Sequence, residues 1–424
     1  DAYIKKNLGE GVNSIFFAVV VATVIRSTTF EAYTIPTSSM EKSLMVGDFL
    51  FVSKMHYGVR VPMTPISLPL VHNKVPFAGI PSYLNWPQIP YLRLPAISPI
   101  ESGDPVVFNY PMDNMPVDKK ENYVKRCIGT PGDSLEIVDR TVLVNGNAFR
   151  FPDRSYPQYL YYVKTDGRGF SKNWLKERLD INYLTNEEMR QYPTDQDVYQ
   201  RTQDQYIMFL QSKHVEAISA LANVKEVWPI VAQRPGTPID STLPQGLIDI
   251  QLGQAEEILF PNPDTGHGER PYNDTWDNFG PIYVPKAGKT VELTSKNLNS
   301  YRRIIGEYEG HDLKIKKDGE VLIDGVAATS YTFEKDYYWM MGDNRHNSLD
   351  SRKWGYVPGD HIVGKPVFIW MSWDKHGEGL KKIRSERVFT TVSGEGERTS
   401  YFWYFIAAIA LYQVVQFLRR RKKA

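Results

Sequence analysis

The chain holds a single cysteine, Cys127, so no disulfide can close within it and its stability has to come from packing. One thiol also leaves the redox character of its compartment open. Charge of either sign is not in excess: 50 Lys and Arg stand against 49 Asp and Glu, a net charge of +1. That balance excludes a broad basic surface for nucleic acid. Histidine is scarce, and His267, His311, His346, His361 and His376 lack the paired spacing of metal ligands, so no metal or other cofactor is expected. His346 reads as a surface residue. No internal repeat is found.

What is present is a globular composition, 42% hydrophobic and 23% charged, which excludes a disordered polymer. The 424 residues leave room for more than one compact unit. The 28 prolines and 26 tyrosines suit a loop-rich β protein. The chain begins at Asp1 rather than methionine, which reads as a trimmed start.

Both ends are apolar. Val12 to Ile25 runs VNSIFFAVVVATVI, short of the roughly 20 residues a spanning helix needs, although it extends if Arg26 snorkels to the interface. A buried core element is the alternative. Tyr401 to Leu418 is apolar and aromatic, broken by Gln413 and Gln416, and a basic stop, Arg419 to Lys423, follows at once. That pattern predicts a single span with Tyr401, Trp403 and Tyr404 as an aromatic anchor. Lys5 and Lys6 before the first run and the basic cluster after the last put both termini on the cytoplasmic side.

Between the ends, Leu44 to Lys54 reads as strand, turn, strand around Gly47-Asp48. Residues 60–100 are dense in proline and aromatics without a period, an irregular apolar lobe. Gly103 to Tyr110 is a turn and strand, and Tyr123 to Ile128 is a strand ended at Pro131-Gly132. Leu135 to Phe149 holds a hairpin with Asn145-Gly146 as its turn. Over 151–281 charge and glutamine rise, and helices are expected at Asn173–Asp180 and Asp204–Val227, the latter on Ile207, Leu210, Val215, Ile218 and Leu221. This reads as an inserted α-rich subdomain with a turn-rich exit loop, Asn262 to Asn273. From Ile282 the β pattern resumes, with a turn at Asp318-Gly319.

Three short stretches carry chemistry. Ile35-Pro36-Thr37-Ser38-Ser39-Met40 follows the first apolar run. Tyr123-Val124-Lys125-Arg126 precedes Gly129-Thr130-Pro131-Gly132-Asp133. The third is Gly342-Asp343-Asn344-Arg345-His346-Asn347-Ser348-Leu349-Asp350-Ser351-Arg352. Serine is a weak nucleophile until something takes its proton, and a lysine can do so if burial keeps it neutral. The period of a strand puts Tyr123 and Cys127 on the face of Lys125. A lysine in a strand is ordinarily a surface residue, a Ser-Ser pair an ordinary turn, and a charge run a solvated loop.

Together the three stretches resemble the conserved boxes of the bacterial type I signal peptidases, Ser/Lys serine endopeptidases of family S26 that cut signal peptides from exported preproteins. The resemblance implies a mainly β fold: a β-barrel or antiparallel-sheet catalytic core with the inserted α-rich subdomain and terminal transmembrane helices. Its implied parts are a membrane anchor over 1–29, core over 30–150 and 282–398, the insert over 151–281, and a C-terminal helix with a basic tail over 399–424. By resemblance Ser39 is the nucleophile and Lys125 the general base. Thr37 supplies an oxyanion donor with the Ser39 amide, and Ser348 orients the lysine. Ile35, Pro36, Met40, Leu44, Tyr123 and Val124 line pockets for small side chains before the cut. Asp343, Arg345, Asp350 and Arg352 form salt bridges that shape the site. The implied partners are preproteins with A-x-A-like signal peptides, the lipid bilayer and the secretion translocon, with no nucleic acid. The implied place is the bacterial plasma membrane, with the catalytic core on the outer side.

The chain departs from the family pattern in three places. The proline after the methionine is missing, which leaves Ser39-Met40-Glu41-Lys42, a Ser-x-x-Lys string like that of penicillin-binding enzymes. That rival requires the string to open a helix. The insert and the C-terminal span are the other departures, and they limit the resemblance to roughly 12–150 and 282–375. A membrane-anchored binding module on an inactive fold is the non-enzymatic alternative, and the intact Ser39, Lys125 and Ser348 speak against it.

Overall fold

The computed structural model describes residues 2–421 except 193, 235, 239, 256–258, 261–273, 318 and 378. The expected exit loop at Asn262–Asn273 and Asp318 of the expected turn lie outside the described residues.

A mainly antiparallel sheet organises the chain. Its strands are β1 (Phe30–Thr34), β2 (Asp48–Ser53), β3 (Pro105–Asn109), β4 (Asn122–Gly129), β5 (Tyr337–Met341), β6 (Val357–Pro358), β7 (Ile362–Ser372) and β8 (Thr390–Thr391). The spatial order is β1-β2-β7-β3-β4-β5-β6, with β8 on β7. The central strand β3 is apolar without alternation because both of its faces are covered. Val106 and Phe108 pack with Tyr57, Cys127, Met340 and Trp354. Val107 packs with Ile35, Met40, Leu50, Val363 and Ile369.

β4 is wired unevenly, and this places the site. It pairs with β3 along Asn122 to Arg126, but β5 joins it only from Arg126 to Gly129. Lys125 therefore sits where one ladder ends, next to the loop that leaves β5 at Gly342. Beyond β4 lies a second sheet of Ser134–Val138, Thr141–Val144 and Asn147–Ala148, with Phe279–Tyr283 on its outer edge. Asn145-Gly146 is a turn as expected, and Asp139-Arg140 makes a second one, both pairs at positive φ.

The insert is mixed: among its described residues are helices at Lys172–Leu179, Asn186–Gln191, Ser212–Ser219 and Gln245–Ala255, as an α-rich unit requires, and also a sheet that was not expected. The sheet is four-stranded and antiparallel, in the order Val224–Pro229, Tyr159–Thr165, Gln205–Leu210, Val198–Gln200. The helix expected over Asp204–Val227 is instead a strand to Leu210, a short helix at Ser212–Ser219, and a strand from Val224. Tyr206, Met208 and Leu210 pack into one core of the insert and Phe209 into another. A strand covered on both faces loses its alternation, and its apolar spacing then fits a helix equally well. The other expected helix is present at Lys172–Leu179, with Ser171 Oγ accepting from Trp174 N and Asp180 closing it at φ 50.

At the ends, a helix spans Ala2–Thr28 and another Phe402–Arg421. By length and composition Phe402–Arg420 is, among the described residues, the one helix long and apolar enough to cross a membrane; in the first helix the apolar part is Asn13–Thr28. Residues 60–100 contain only isolated bridges and leave Phe77, Trp86, Ile97 and other apolar side chains exposed.

Candidate active site

Ser39 sits in a single 3-10 turn, Ser38–Met40, in the connection from β1 to β2. Met40 anchors that turn in the apolar cluster of Ile35, Leu44, Leu50 and Val107. Thr37 precedes it in extended conformation and is exposed. Across from it, Lys125 Nζ stands 2.7 Å from Ser39 Oγ and 3.2 Å from the Val124 carbonyl oxygen. Burial pushes the Lys125 amine down to about 8, and the distant carboxylates of Asp350 and Asp343 oppose that shift without reversing it. The Tyr123 ring lies 5.4 Å from the amine. A lysine so placed is available in its neutral form near neutral pH and touches the one hydroxyl it would activate.

The third stretch forms the floor. Gly342 is required by space: a Cβ there would lie 2.1 Å from Ser348 Oγ and 2.6 Å from the Ser39 carbonyl oxygen. Ser348 lines the same cleft, yet its buried Oγ has no hydrogen-bond partner. Lys125 is thus oriented here by Ser39 and the Val124 carbonyl, and the Ser348 hydroxyl is left free for another group.

Of the four expected bridge-forming residues, three pair. Arg126, from the β4 box, grips Asp343 with Nε at 2.8 Å and Nη2 at 2.5 Å. Asp350 holds Arg352 through Nε at 3.0 Å and Nη2 at 2.7 Å, and accepts from the Gly342 amide at 3.0 Å. Arg345 does not form an ion pair among the described residues. Its guanidinium is buried over the Phe151 ring at 5.0 Å, with Nε and Nη2 unsatisfied.

The cleft measures about 440 Å³ and is lined by Ile35, Pro36, Met40, Tyr123 and Val124, as expected. Leu44 is not on its wall; it is buried behind Met40 and borders a separate cavity with Arg126 and Arg398. Tyr33, Leu50, Val107 and Leu349 line the cleft without having been foreseen. So does Thr194 of the insert. Ser38 Oγ donates to the Thr194 carbonyl oxygen at 2.5 Å, and Asn347 Nδ2 reaches both, at 3.1 and 3.3 Å. Nothing in the sequence spacing links residue 38 to residue 194.

One further residue was misread, and the lysine of the rival motif is placed elsewhere. The His346 side chain is buried, not at the surface: Nε2 lies 3.0 Å from the Asp277 carboxylate. Lys42 points away from the serine. Its ammonium bonds to the Asp180 carbonyl and, at 3.2 Å, to the Asp180 carboxylate, with Asp197 and Glu41 each 3.8 Å away. Burial works against the charge, but Asp180, Asp197 and Glu41 outweigh it and hold Lys42 protonated. Lys42 also sits at φ +67, after a 3-10 turn and not within a helix, so the Ser-x-x-Lys geometry is absent.

Comparison with known proteins agrees with this arrangement. The family described as signal peptidase, peptidase S26, matches residues 8–212 and 285–373. That match runs through the first half of the insert, further than the motifs alone suggested. Signal peptidase I of Pseudomonas fluorescens is 32% identical over 372 residues, 85% of this chain and 71% of its own. Signal peptidase I of Buchnera aphidicola from Schizaphis graminum is 25% identical over 385 residues, 91% of this chain and 82% of its own. That of Haemophilus influenzae is 23% identical over 390 residues, 90% and 75%.

Proposed function

Because the chain belongs to the signal peptidases of family S26, type I, we propose that it is a membrane-bound serine endopeptidase with Ser39 as nucleophile and Lys125 as general base. One observation carries the reading: a lysine amine depressed by burial, 2.7 Å from a serine hydroxyl, at the floor of an apolar cleft. The neutral amine accepts the Ser39 proton as Oγ attacks the scissile carbonyl. The ammonium then returns that proton to the leaving amine, and the same amine activates the water that releases the acyl group. The Ser39 amide and the Thr37 hydroxyl are the donors for the oxyanion.

The substrate is an exported preprotein whose signal peptide ends in small residues. A 440 Å³ cleft walled by Ile35, Met40, Leu50, Val107 and Val124 suits small side chains and an extended backbone. The helix Phe402–Arg420 and the apolar run Asn13–Thr28 would hold the core against the outer face of a bacterial plasma membrane, with both termini cytoplasmic.

The test is cleavage of a purified precursor with an Ala-x-Ala site by wild type, Ser39→Ala and Lys125→Ala. Wild-type cleavage lost in both variants upholds the dyad. A wild-type chain that leaves the precursor intact refutes the peptidase reading, and full activity in Lys125→Ala moves the base elsewhere.

A further inference from the structure

A second cavity, about 280 Å³, lies on the far side of β1, where the last turn of the N-terminal helix meets the proline-rich lobe. Four cations, Arg26, Lys54, Arg60 and Lys119, face it against two carboxylates, Glu31 and Asp118. The carboxylates are already engaged. Glu31 takes Arg26 at 2.6 Å and Lys54 at 2.8 Å. Asp118 accepts from the Met63 and Thr64 amides and the Thr64 hydroxyl, at 3.1, 2.9 and 2.7 Å.

That leaves two cations without a carboxylate among the described residues. Arg60 donates only to neutral oxygens, the Asp360 carbonyl and Asn109 Oδ1, each at 2.7 Å. Lys119 is 8% exposed and has no hydrogen-bond acceptor; its nearest partner is the Tyr83 ring, 5.7 Å from Nζ. Burial lowers its basicity, and the Asp118 charge only partly offsets this. An amine on a cavity wall with no counter-ion in contact is open to an anion, and this wall carries two more cations than carboxylates.

The surroundings name the anion's source. Arg26 closes the apolar run Asn13–Thr28 and donates Nη1 to the Leu70 carbonyl at 2.8 Å, tying the helix to the lobe. Leu68 and Leu70, on the rim, are about half exposed, at 49% and 51%. A cationic hollow with an apolar rim at the end of an apolar helix has the chemistry of a site for a lipid phosphate.

We infer that this cavity binds the phosphate of an anionic phospholipid headgroup, with Lys119 and the Nη2 of Arg26, the nitrogen that Glu31 and Leu70 do not take, as its donors, and so sets the height of the catalytic cleft above the bilayer. This rests on the membrane reading given above. The site adjoins the Ser39 cleft, sharing Tyr33 and Asn122 as wall residues, and none of its cations belongs to the catalytic set.

The test uses the full chain in mild detergent, with lipid retention read by native mass spectrometry. Phosphatidylglycerol is compared with a diacylglycerol of the same acyl chains and with inorganic phosphate. Wild type should hold one phosphatidylglycerol and no diacylglycerol, and Lys119→Gln and Arg26→Gln should each weaken retention about tenfold or more, Lys119→Gln with unchanged melting. Equal retention of phosphatidylglycerol by wild type and both variants overturns the site. So does equal retention of diacylglycerol, which assigns the lipid to the apolar rim, or binding of inorganic phosphate without phosphatidylglycerol, which makes it a free-anion site. Flotation of the same chain with phosphatidylcholine vesicles separates the two readings. A chain that floats but fails the retention test loses only the headgroup site, and a chain that does not float loses the membrane reading as well.

Discussion

Gly342 and Ser348 lie so close that a methyl group at 342 would come to 2.1 Å from the Ser348 hydroxyl oxygen and 2.6 Å from the carbonyl oxygen of Ser39, the proposed nucleophile. Glycine is needed there for room, not for a left-handed backbone. The contact holds the β5 exit loop against the nucleophile turn. Gly342→Ala should therefore push the two loops apart, with a loss of about 1–3 kcal/mol in unfolding free energy and a fall in cleavage of a hundredfold or more. Ser348→Ala is the counterpart: it removes an unsatisfied buried hydroxyl, so stability should hold or rise slightly while cleavage drops. Urea unfolding beside the cleavage assay reads both, and a Gly342→Ala protein with wild-type rates would refute the packing argument.

Lys125 gives the pH dependence a definite sign. Its folded value, about 8, is below the ordinary 10.5, and the active form is the neutral one. Cleavage should rise about tenfold per pH unit below 8 and level off above it. Stability follows by linkage. Between about 8 and 10.5 the unfolded chain binds the extra proton, so stability rises with pH across that window. Below 8 the native state carries a buried charge, and Lys125→Met should be more stable than wild type by about 2–4 kcal/mol at pH 6, with the gap closing toward pH 10.5. A gap that stays constant with pH would argue against the shift.

Lys42 tests the opposite role. Removing it leaves the buried Asp197 carboxylate without its ammonium, while the partly exposed Asp180 keeps Lys176, so Lys42→Ala should lose roughly 3 kcal/mol of stability. Lys42→Met combined with Asp197→Asn should recover most of that loss. In the double variant the midpoint of the cleavage pH profile should stay near 8, as the proposal that Lys125 is the base requires. If the midpoint moved with Lys42, the Ser-x-x-Lys reading would return.

Cys127 reports on the same strand, two residues on from Lys125 and on the same face. It is fully buried, and burial pushes its thiol well above the ordinary value. Labelling by a thiol reagent at pH 8 should be slow and should track urea unfolding. Rapid labelling of the native protein would mean that β4 is open, and the depressed amine of Lys125 could not survive next to it.

Much of the site was legible because the chemistry is local. Ser39 with Met40, Lys125 within an apolar strand, and the run from Gly342 to Arg352 are short strings whose neighbours in sequence are also neighbours in space. The β character of the core was legible too, since β-branched and aromatic runs between Gly, Pro and Asn turns have few other solutions. Three things escaped. The strand at Gln205–Leu210 looked helical because both of its faces are buried and the alternation vanished. His346 looked exposed because its partner, Asp277, is 69 residues away.

The third is the most consequential. By itself the sequence determined the reacting groups: a hydroxyl, an amine and the apolar residues around them. It did not determine which lysine was free to be a base, because charge state depends on what surrounds a group and not on what adjoins it. Lys42 is three residues from Ser39 and is locked as a cation by Asp180 and Asp197. Lys125 is 86 residues away, and the tertiary fold buries it without an acid in reach, against the serine. Desolvation and ion pairing act over a few ångströms of space, so only the folded chain could decide between them.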